Sequence, residues 1–224
     1  MKFKKLSNSI IAGLLLSTSV YADNYNLLME EKQIVGTTIT DLNVNNKDLS
    51  IGIKYDLSAV NKTFKKNMSY IGIRYLNIDD EDTNKKGLAE VNFIVKDFVN
   101  TIPGLKIGVG IKLVHTSYEV AGSDNTFLAI PFGVEAEYFL PTILTGGMPI
   151  SITGSGYYSP SPLSLMDANV YSELIGKINM RVLEHADIYV GYRNITTEYD
   201  NLGSSYNNKI NYNESMFVGV SFGF

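Results

Sequence analysis

The 224-residue sequence has no cysteine and no tryptophan, and only two histidines and six prolines. Without cysteine there is no disulfide, and the chain is not a lipoprotein. His115 and His185 stand alone, zinc-ligand spacing is missing, and there is no glycine-rich phosphate loop. No cofactor and no metal are therefore expected. Beyond residue 22 no apolar run approaches the roughly 18 residues of a membrane helix. Amphipathic helices of ordinary length are missing too. Basic charge is in short supply, with 19 Lys and Arg against 23 Asp and Glu.

The basic residues are also unevenly placed. Lys2, Lys4 and Lys5 precede a short apolar stretch, Ile10–Leu16, and Val20-Tyr21-Ala22 offers small residues at −3 and −1 of a cut before Asp23. That is the pattern of a secretory signal peptide. The alternative, a membrane anchor, needs a run of roughly 20 residues, which this stretch does not reach. Residues 1–22 are thus expected to be a leader and 23–224 the domain. The leader holds three of the 19 basic residues and none of the acidic ones, so the remainder carries a net charge of −7. Nucleic-acid binding is not expected on that balance.

What the chain does have is alternation. Met216, Val218, Val220, Phe222 and the terminal Phe224 occupy every second position, with Gly219, Ser221 and Gly223 between them and Phe217 the one bulky exception. One greasy face and one small or polar face suit a strand between lipid and a wet lumen. Phe222 and Phe224 resemble the C-terminal signal read by the outer-membrane assembly machinery of Gram-negative bacteria. The same period of two recurs in Asp48–Leu57, Ser69–Leu76, Gly87–Lys96, Leu105–Leu113, Phe127–Phe139, Met148–Tyr158, Val170–Val182, Ala186–Asn194 and Glu214–Phe224. A less regular segment, Gln33–Leu42, opens the series. The fold class expected is all-β: an antiparallel transmembrane β-barrel of about ten strands, with eight or twelve as alternatives. Every backbone polar group in lipid must be paired, so a spanning chain without helices has to close on itself. A periplasmic β-sandwich is the soluble alternative. The last strand should end at the periplasm. Leu183-Glu184-His185, Phe139–Gly147 and Asp97–Gly104 then become periplasmic connections, with Ser58–Asn67 an oddly long and basic one. Asn43–Lys47, Asn77–Lys86, Ser117–Thr126, Ser159–Asn169 and Ile195–Asn213 become extracellular loops.

If the apolar faces meet lipid, the lumen receives Lys54, Asp56, Arg74, Glu90, Lys96, Lys106, Lys112, Glu135, Glu137, Glu173, Lys177, Arg181, Asp187 and Arg193, eight positive and six negative groups. Mixed signs favour ion pairs filling a narrow lumen over a pore lined by charge, since barrels near eight strands are largely filled by side chains. Tyr55, Tyr75, Tyr138, Tyr158 and Tyr192 share the lipid-facing parity and suit interfacial girdles. His115, Ser117 and Glu119 share one face at the outer end of a strand. Their composition is that of an acyl-transfer site, and they loosely resemble outer-membrane lipid A deacylases. Neighbours two apart on one strand point in parallel, however, so no catalytic residue is assigned and a non-enzyme is expected. Asp79-Asp80-Glu81-Asp82 offers oxygen ligands for calcium without EF-hand spacing, and is read as a solvated loop.

In the C-terminal third, Gly156-Tyr157-Tyr158-Ser159-Pro160-Ser161-Pro162-Leu163-Ser164 is followed by Asp167, Tyr171 and Glu173, then Tyr189-Val190-Gly191-Tyr192-Arg193 and Phe217-Val218-Gly219-Val220. These residues resemble the YfaZ family of outer-membrane proteins. The resemblance implies a small outer-membrane barrel and carries no catalytic residues. The expected role is structural or ligand-contacting, with a narrow or closed lumen. A small ion or solute channel is the alternative, and a lipid A-modifying hydrolase the third reading. Expected partners are outer-membrane lipid, lipopolysaccharide and the barrel-assembly machinery, and a monomer is favoured.

Overall fold

The computed structural model describes residues 37–59, 68–80, 83–120, 123–166, 168–199 and 209–224. The leader and most of the Ser58–Asn67 connection lie outside them. Twelve strand segments follow in order: β1 (Thr38–Val44), β2 (Asp48–Asp56), β3 (Met68–Asp80), β4 (Thr83–Phe98), β5 (Leu105–Val120), β6 (Ser123–Ala129), β7 (Phe132–Phe139), β8 (Ile150–Ser159), β9 (Ser164–Met166), β10 (Ala168–Leu183), β11 (Ala186–Tyr199) and β12 (Lys209–Gly223). All pairings are antiparallel, and β1 pairs with β12, which closes the sheet.

The twelve segments fill ten positions around the barrel. β6 and β7 both pair with β5, end to end, and are halves of one strand. Pro131, which cannot donate to a ladder, sits at the break. Its carbonyl still accepts from Lys112 N at 2.9 Å. β8 and β9 form a second broken strand, interrupted by a 3-10 turn at Ser161–Leu163. The two breaks lie side by side, joined by Ile130 N to the Leu163 carbonyl at 2.9 Å. The prolines of Ser159-Pro160-Ser161-Pro162 therefore do not simply launch a loop. The chain leaves the sheet for one turn and returns to pair Ser164–Met166 with β6.

Two sequence expectations about strand ends need correcting. The first strand lies at Thr38–Val44 rather than Gln33–Leu42, residues 33–36 being outside the described part. It runs past Leu42 because the Asn45 side chain builds the turn: Asn45 Oδ1 accepts from Lys47 N at 2.7 Å and Asp48 N at 2.8 Å. Three expected loops are also largely strand. Ile78 pairs with Lys86, Ser117 with Thr126, and Glu198 with Lys209. Outside a bilayer a strand's outer face is free to be polar, which masks the alternation on which the sequence reading relied. Asp79 and Asp80 end β3. The side chains of Asp79–Asp82 lie outside the described residues.

The end of the barrel that carries Phe224 will be called proximal and the other distal. Among the described proximal connections, several turns rest on glycine. Gly104, Gly146 and Gly147 take positive φ (78°, 66° and 90°), which their turns require. Glu184 and His185 form the two-residue link between β10 and β11, and the His185 carbonyl accepts from Gly223 N at 2.8 Å. Phe224 N donates to the Thr38 carbonyl at 2.8 Å, so the last residue completes the β1–β12 seam. The side chains of Phe222 and Phe224 point outward and are exposed.

The outer surface carries an apolar band: Ile51, Ile53, Ile71, Ile73, Val91, Ile107, Val109, Val134, Ile178, Val190 and Val218 are all exposed. Alternate residues such as Ser50, Gly52, Lys106, Gly108 and Lys112 are buried. A charge in mid-band must leave hydrocarbon or deform it. Val109→Arg is expected to lower the stability of the lipid-embedded barrel by about 2–4 kcal/mol. The measurement is urea unfolding in phosphatidylcholine vesicles. A cost near zero would show that the band does not face lipid.

Candidate functional site

Among the described residues the interior of the barrel is where charge is concentrated. At mid-height Arg74 meets Glu90 at 2.6 Å and Glu173 at 2.7 Å, while Lys112 meets Glu90 at 3.3 Å and Glu173 at 2.5 Å. β3 and β10 lie on opposite walls, so this quartet spans the lumen. Two cations and two carboxylates balance. Tyr171 Oη donates to Glu173 at 2.8 Å and Asn92 Nδ2 to Glu90 at 3.2 Å. Lys112 Nζ also lies 4.0 Å from the Tyr157 ring centroid. That ring leans directly over Gly133, where a Cβ would collide with it. The glycine on the inner face is what admits the aromatic, and the aromatic in turn supports the lysine.

A second knot lies beside it. Arg193 Nη2 reaches Asp48 at 2.8 Å, and its other nitrogens donate to Asn213 at 3.1 Å and Asn43 at 3.3 Å. Ser215 Oγ donates to Asp48 at 3.2 Å. The guanidinium is 1% exposed, so this pairing is fully desolvated. Toward the proximal end Lys96 pairs with Glu135 at 2.7 Å and Lys177 with Asp41 at 3.7 Å. Arg181 pairs with Asp187, and Ser151 Oγ donates to Glu137 at 3.2 Å. Lys106 Nζ lies 4.4 Å from the Phe98 ring and 4.5 Å from the Phe139 ring. Among the described residues Asp56 makes no ion pair; its carboxylate accepts from Ser58 N at 2.8 Å in the turn after β2.

Above the quartet the inner face changes character. Leu76, Ile78, Leu88, Val114, Phe127, Ala129, Tyr171, Ile195 and Tyr212 form one buried apolar cluster that fills the distal end. Phe127 packs against Tyr171 and Tyr212 with ring centroids 5.9 Å apart in each case. Below the quartet a cavity of about 200 Å³ remains, walled by polar groups from both sides of the barrel.

The sequence reading placed Lys54, Arg74, Glu90, Lys106, Lys112, Glu135, Glu137, Glu173, Lys177, Arg181 and Arg193 inside, and the structure puts each on the inner face. It did not name Asp41, Asn43, Asp48 or Asn213, which hold Lys177 and Arg193. Asp48 shares the parity of Ser50 and Lys54, so that signal was present. The apolar cap was missed as well. Its signal is a repeated switch on one parity, as in Arg74-x-Leu76-x-Ile78, Leu88-x-Glu90 and Lys112-x-Val114. His115 lies on the outer face, its Nδ1 3.1 Å from the Phe127 carbonyl. The side chains of Ser117 and Glu119 lie outside the described residues.

A closed antiparallel barrel with an apolar band outward and paired charge inward is a transmembrane β-barrel. The family model of the YfaZ precursor matches residues 97–224, more than half of the chain, and the chain belongs to that family. It is accordingly an outer-membrane barrel protein. No curated protein matches it. Among solved structures, a bacterial polysaccharide outer membrane secretin is similar at 13% identity over 83% of this chain and 69% of that chain. The TM-score of that likeness is 0.36.

Proposed function

We propose that this protein is a non-conducting barrel of the Gram-negative outer membrane, monomeric, with a structural or ligand-contacting role. The distal end faces outward and the proximal end faces the periplasm. Lipid and lipopolysaccharide contact the apolar band, and the assembly machinery reads the terminal strand. The observation that carries the reading is the doubly blocked lumen. The Arg74–Glu90–Lys112–Glu173 quartet bridges opposite walls, and the apolar cluster around Phe127 fills the space beyond it. An ion crossing would have to break desolvated pairs and then enter a dry core, both costly. Refolded protein in planar bilayers is expected to give no steady single-channel steps in 1 M KCl. Uniform, reproducible steps would replace this reading with the channel.

The same reading assigns no reaction to His115 and Ser117. The Phe127 carbonyl only accepts, so Nδ1 of His115 carries the proton there and only Nε2 is left to act as a base. Residues two apart on one strand have Cα atoms about 7 Å apart with parallel side chains, a poor geometry for that transfer. Mass spectra of lipid A from cells overexpressing the wild type, Ser117→Ala and empty vector are expected to be identical. Loss of an acyl chain with the wild type alone would make the protein a hydrolase.

A further inference from the structure

Seven of the eight inner-face cations named from the sequence are engaged. Arg74, Lys96, Lys112, Lys177, Arg181 and Arg193 each have a carboxylate, and Lys106 lies between two phenylalanine rings. Lys54 is the exception: among the described residues it has neither an ion pair nor a hydrogen bond. The charges that act on it are Glu135, Lys96, Lys177 and Asp41, two of each sign, with Glu135 the strongest. Both of those carboxylates are already committed, Glu135 to Lys96 at 2.7 Å and Asp41 to Lys177 at 3.7 Å.

The surroundings of Lys54 form a built space rather than a packing defect. Its stem crosses the backbone of Gly72, its partner on β3. A Cβ at Gly72 would come within 3.0 Å of Lys54 Cγ and 2.9 Å of Asn92 Oδ1, so the glycine clears the path. Lys54 then lines the 200 Å³ cavity together with Thr153, Ser155 and Asn179 of the opposite wall. Asn179 Nδ2 is spent on Ser151 and Thr153, at 3.1 and 2.9 Å. The Ser155 hydroxyl, among the described residues, has no hydrogen-bond partner and is free to donate. The volume is far above the roughly 10–15 Å³ that one water needs.

Access runs in one direction. Within the quartet Glu90, Lys112 and Glu173 have side chains 3%, 6% and 0% exposed, while Arg74 keeps 14%. In the proximal half Lys177 and Asp41 retain 24% and 17%, and Lys96 and Glu135 retain 14% each. The cavity is therefore more open on its proximal side, and its inner limit is the quartet, where Arg74 alone keeps contact with solvent. An enclosed ammonium whose nearby carboxylates are shared with other cations is under-compensated, and an anion that enters this space adds the missing counter-charge.

We propose that the lumen is a blind, periplasm-facing pocket that binds one small oxyanion, a carboxylate or phosphate, on Lys54 with Ser155 as a second donor. The proposal rests on the reading of the barrel as closed toward the outside, and names the ligand class that a ligand-contacting role requires.

The test is calorimetric titration of inorganic phosphate, and separately of acetate, into the refolded barrel in zwitterionic detergent. Folding of every variant is checked by heat-modifiable migration on gels. Wild type is expected to show saturable binding at one site for at least one probe, and the stronger probe identifies the chemistry. Lys54→Met should weaken it on the order of tenfold or more, as loss of a charge-assisted hydrogen bond implies. Lys54→Arg should retain binding, and Lys47→Met, at an exposed turn, should leave it unchanged. Absence of saturable binding to folded wild type by either probe, or equal binding by folded Lys54→Met, would overturn the proposal. If Lys54→Met does not fold, Lys54→Arg and Ser155→Ala decide: retained binding in the first with weakened binding in the second supports the site, and the reverse sinks it. Conductance in planar bilayers is read separately. Channel steps would break the closed-barrel reading, whereas missing phosphate and acetate binding in a silent barrel breaks this proposal alone.

Discussion

Glu173→Ala is expected to destabilise the barrel by about 3–5 kcal/mol, the cost of leaving a buried charge uncompensated. Glu173 accepts from Arg74 at 2.7 Å, Lys112 at 2.5 Å and Tyr171 at 2.8 Å, with its side chain 0% exposed. Removing it leaves two cations on one carboxylate, Glu90, in a largely buried site where only Arg74 keeps some exposure, at 14%. The quartet joins β3, β4, β5 and β10, so the loss is felt across the barrel rather than along one hairpin. The chain has no tryptophan, and far-UV circular dichroism in a urea series is the suitable probe. A change below about 1 kcal/mol, the worth of an exposed ion pair, would mean that the lumen is wet and the quartet is not a core.

Phe127→Ala is expected to cost about 3–5 kcal/mol, as large-to-small changes at buried aromatic sites do. The ring is fully buried between Tyr171 and Tyr212 at the centre of the distal cap. Its removal leaves a cavity that the surrounding strands, tied by their ladders, cannot collapse. Conductance should remain absent, because the charge quartet lies beneath the cap. The two variants thus separate the two barriers. Unfolding at wild-type urea concentrations in Phe127→Ala would mean that the distal cluster contributes nothing to holding the barrel together.

The architecture was legible because lipid imposes a simple rule. In Leu105–Leu113 each strand position is either greasy or else small or charged, and the same contrast recurs often enough to give ten positions. The rule lapses where the barrel leaves the bilayer. In the distal part of β3 exposed Asn77 precedes buried Ile78, and in β12 exposed Asn211 precedes buried Tyr212, so the apolar residue has moved to the inner face and strand was read as loop. Prolines misled in a different way. Pro131 breaks a strand that pattern alone runs straight through, because its neighbours on both sides keep the period. Inner-face parity was readable for Arg74, Glu90, Lys112 and Glu173. Who holds whom was not, since the partners lie up to 99 residues apart and meet only once the barrel has curved round. The free state of Lys54 is likewise a property of the closed ring: on its own strand it looks like any other lumen lysine.

The seam between β1 and β12 has a kinetic consequence. Thr37 and Phe224 are 187 residues apart and touch through the Phe224 carbonyl. No earlier strand can take the place of β12, so the edge of β1 stays unpaired until the last residues are synthesised. An unpaired edge invites pairing with another chain, and contacts of such high sequence separation form slowly. The quartet adds to the delay, because Arg74 and Lys112 remain without half their counter-charge until β10 arrives. Partial barrels are consequently poor resting states, and closure, charge pairing and capping arrive nearly together. A chain wired in this way has to be kept apart from its own copies between export and insertion.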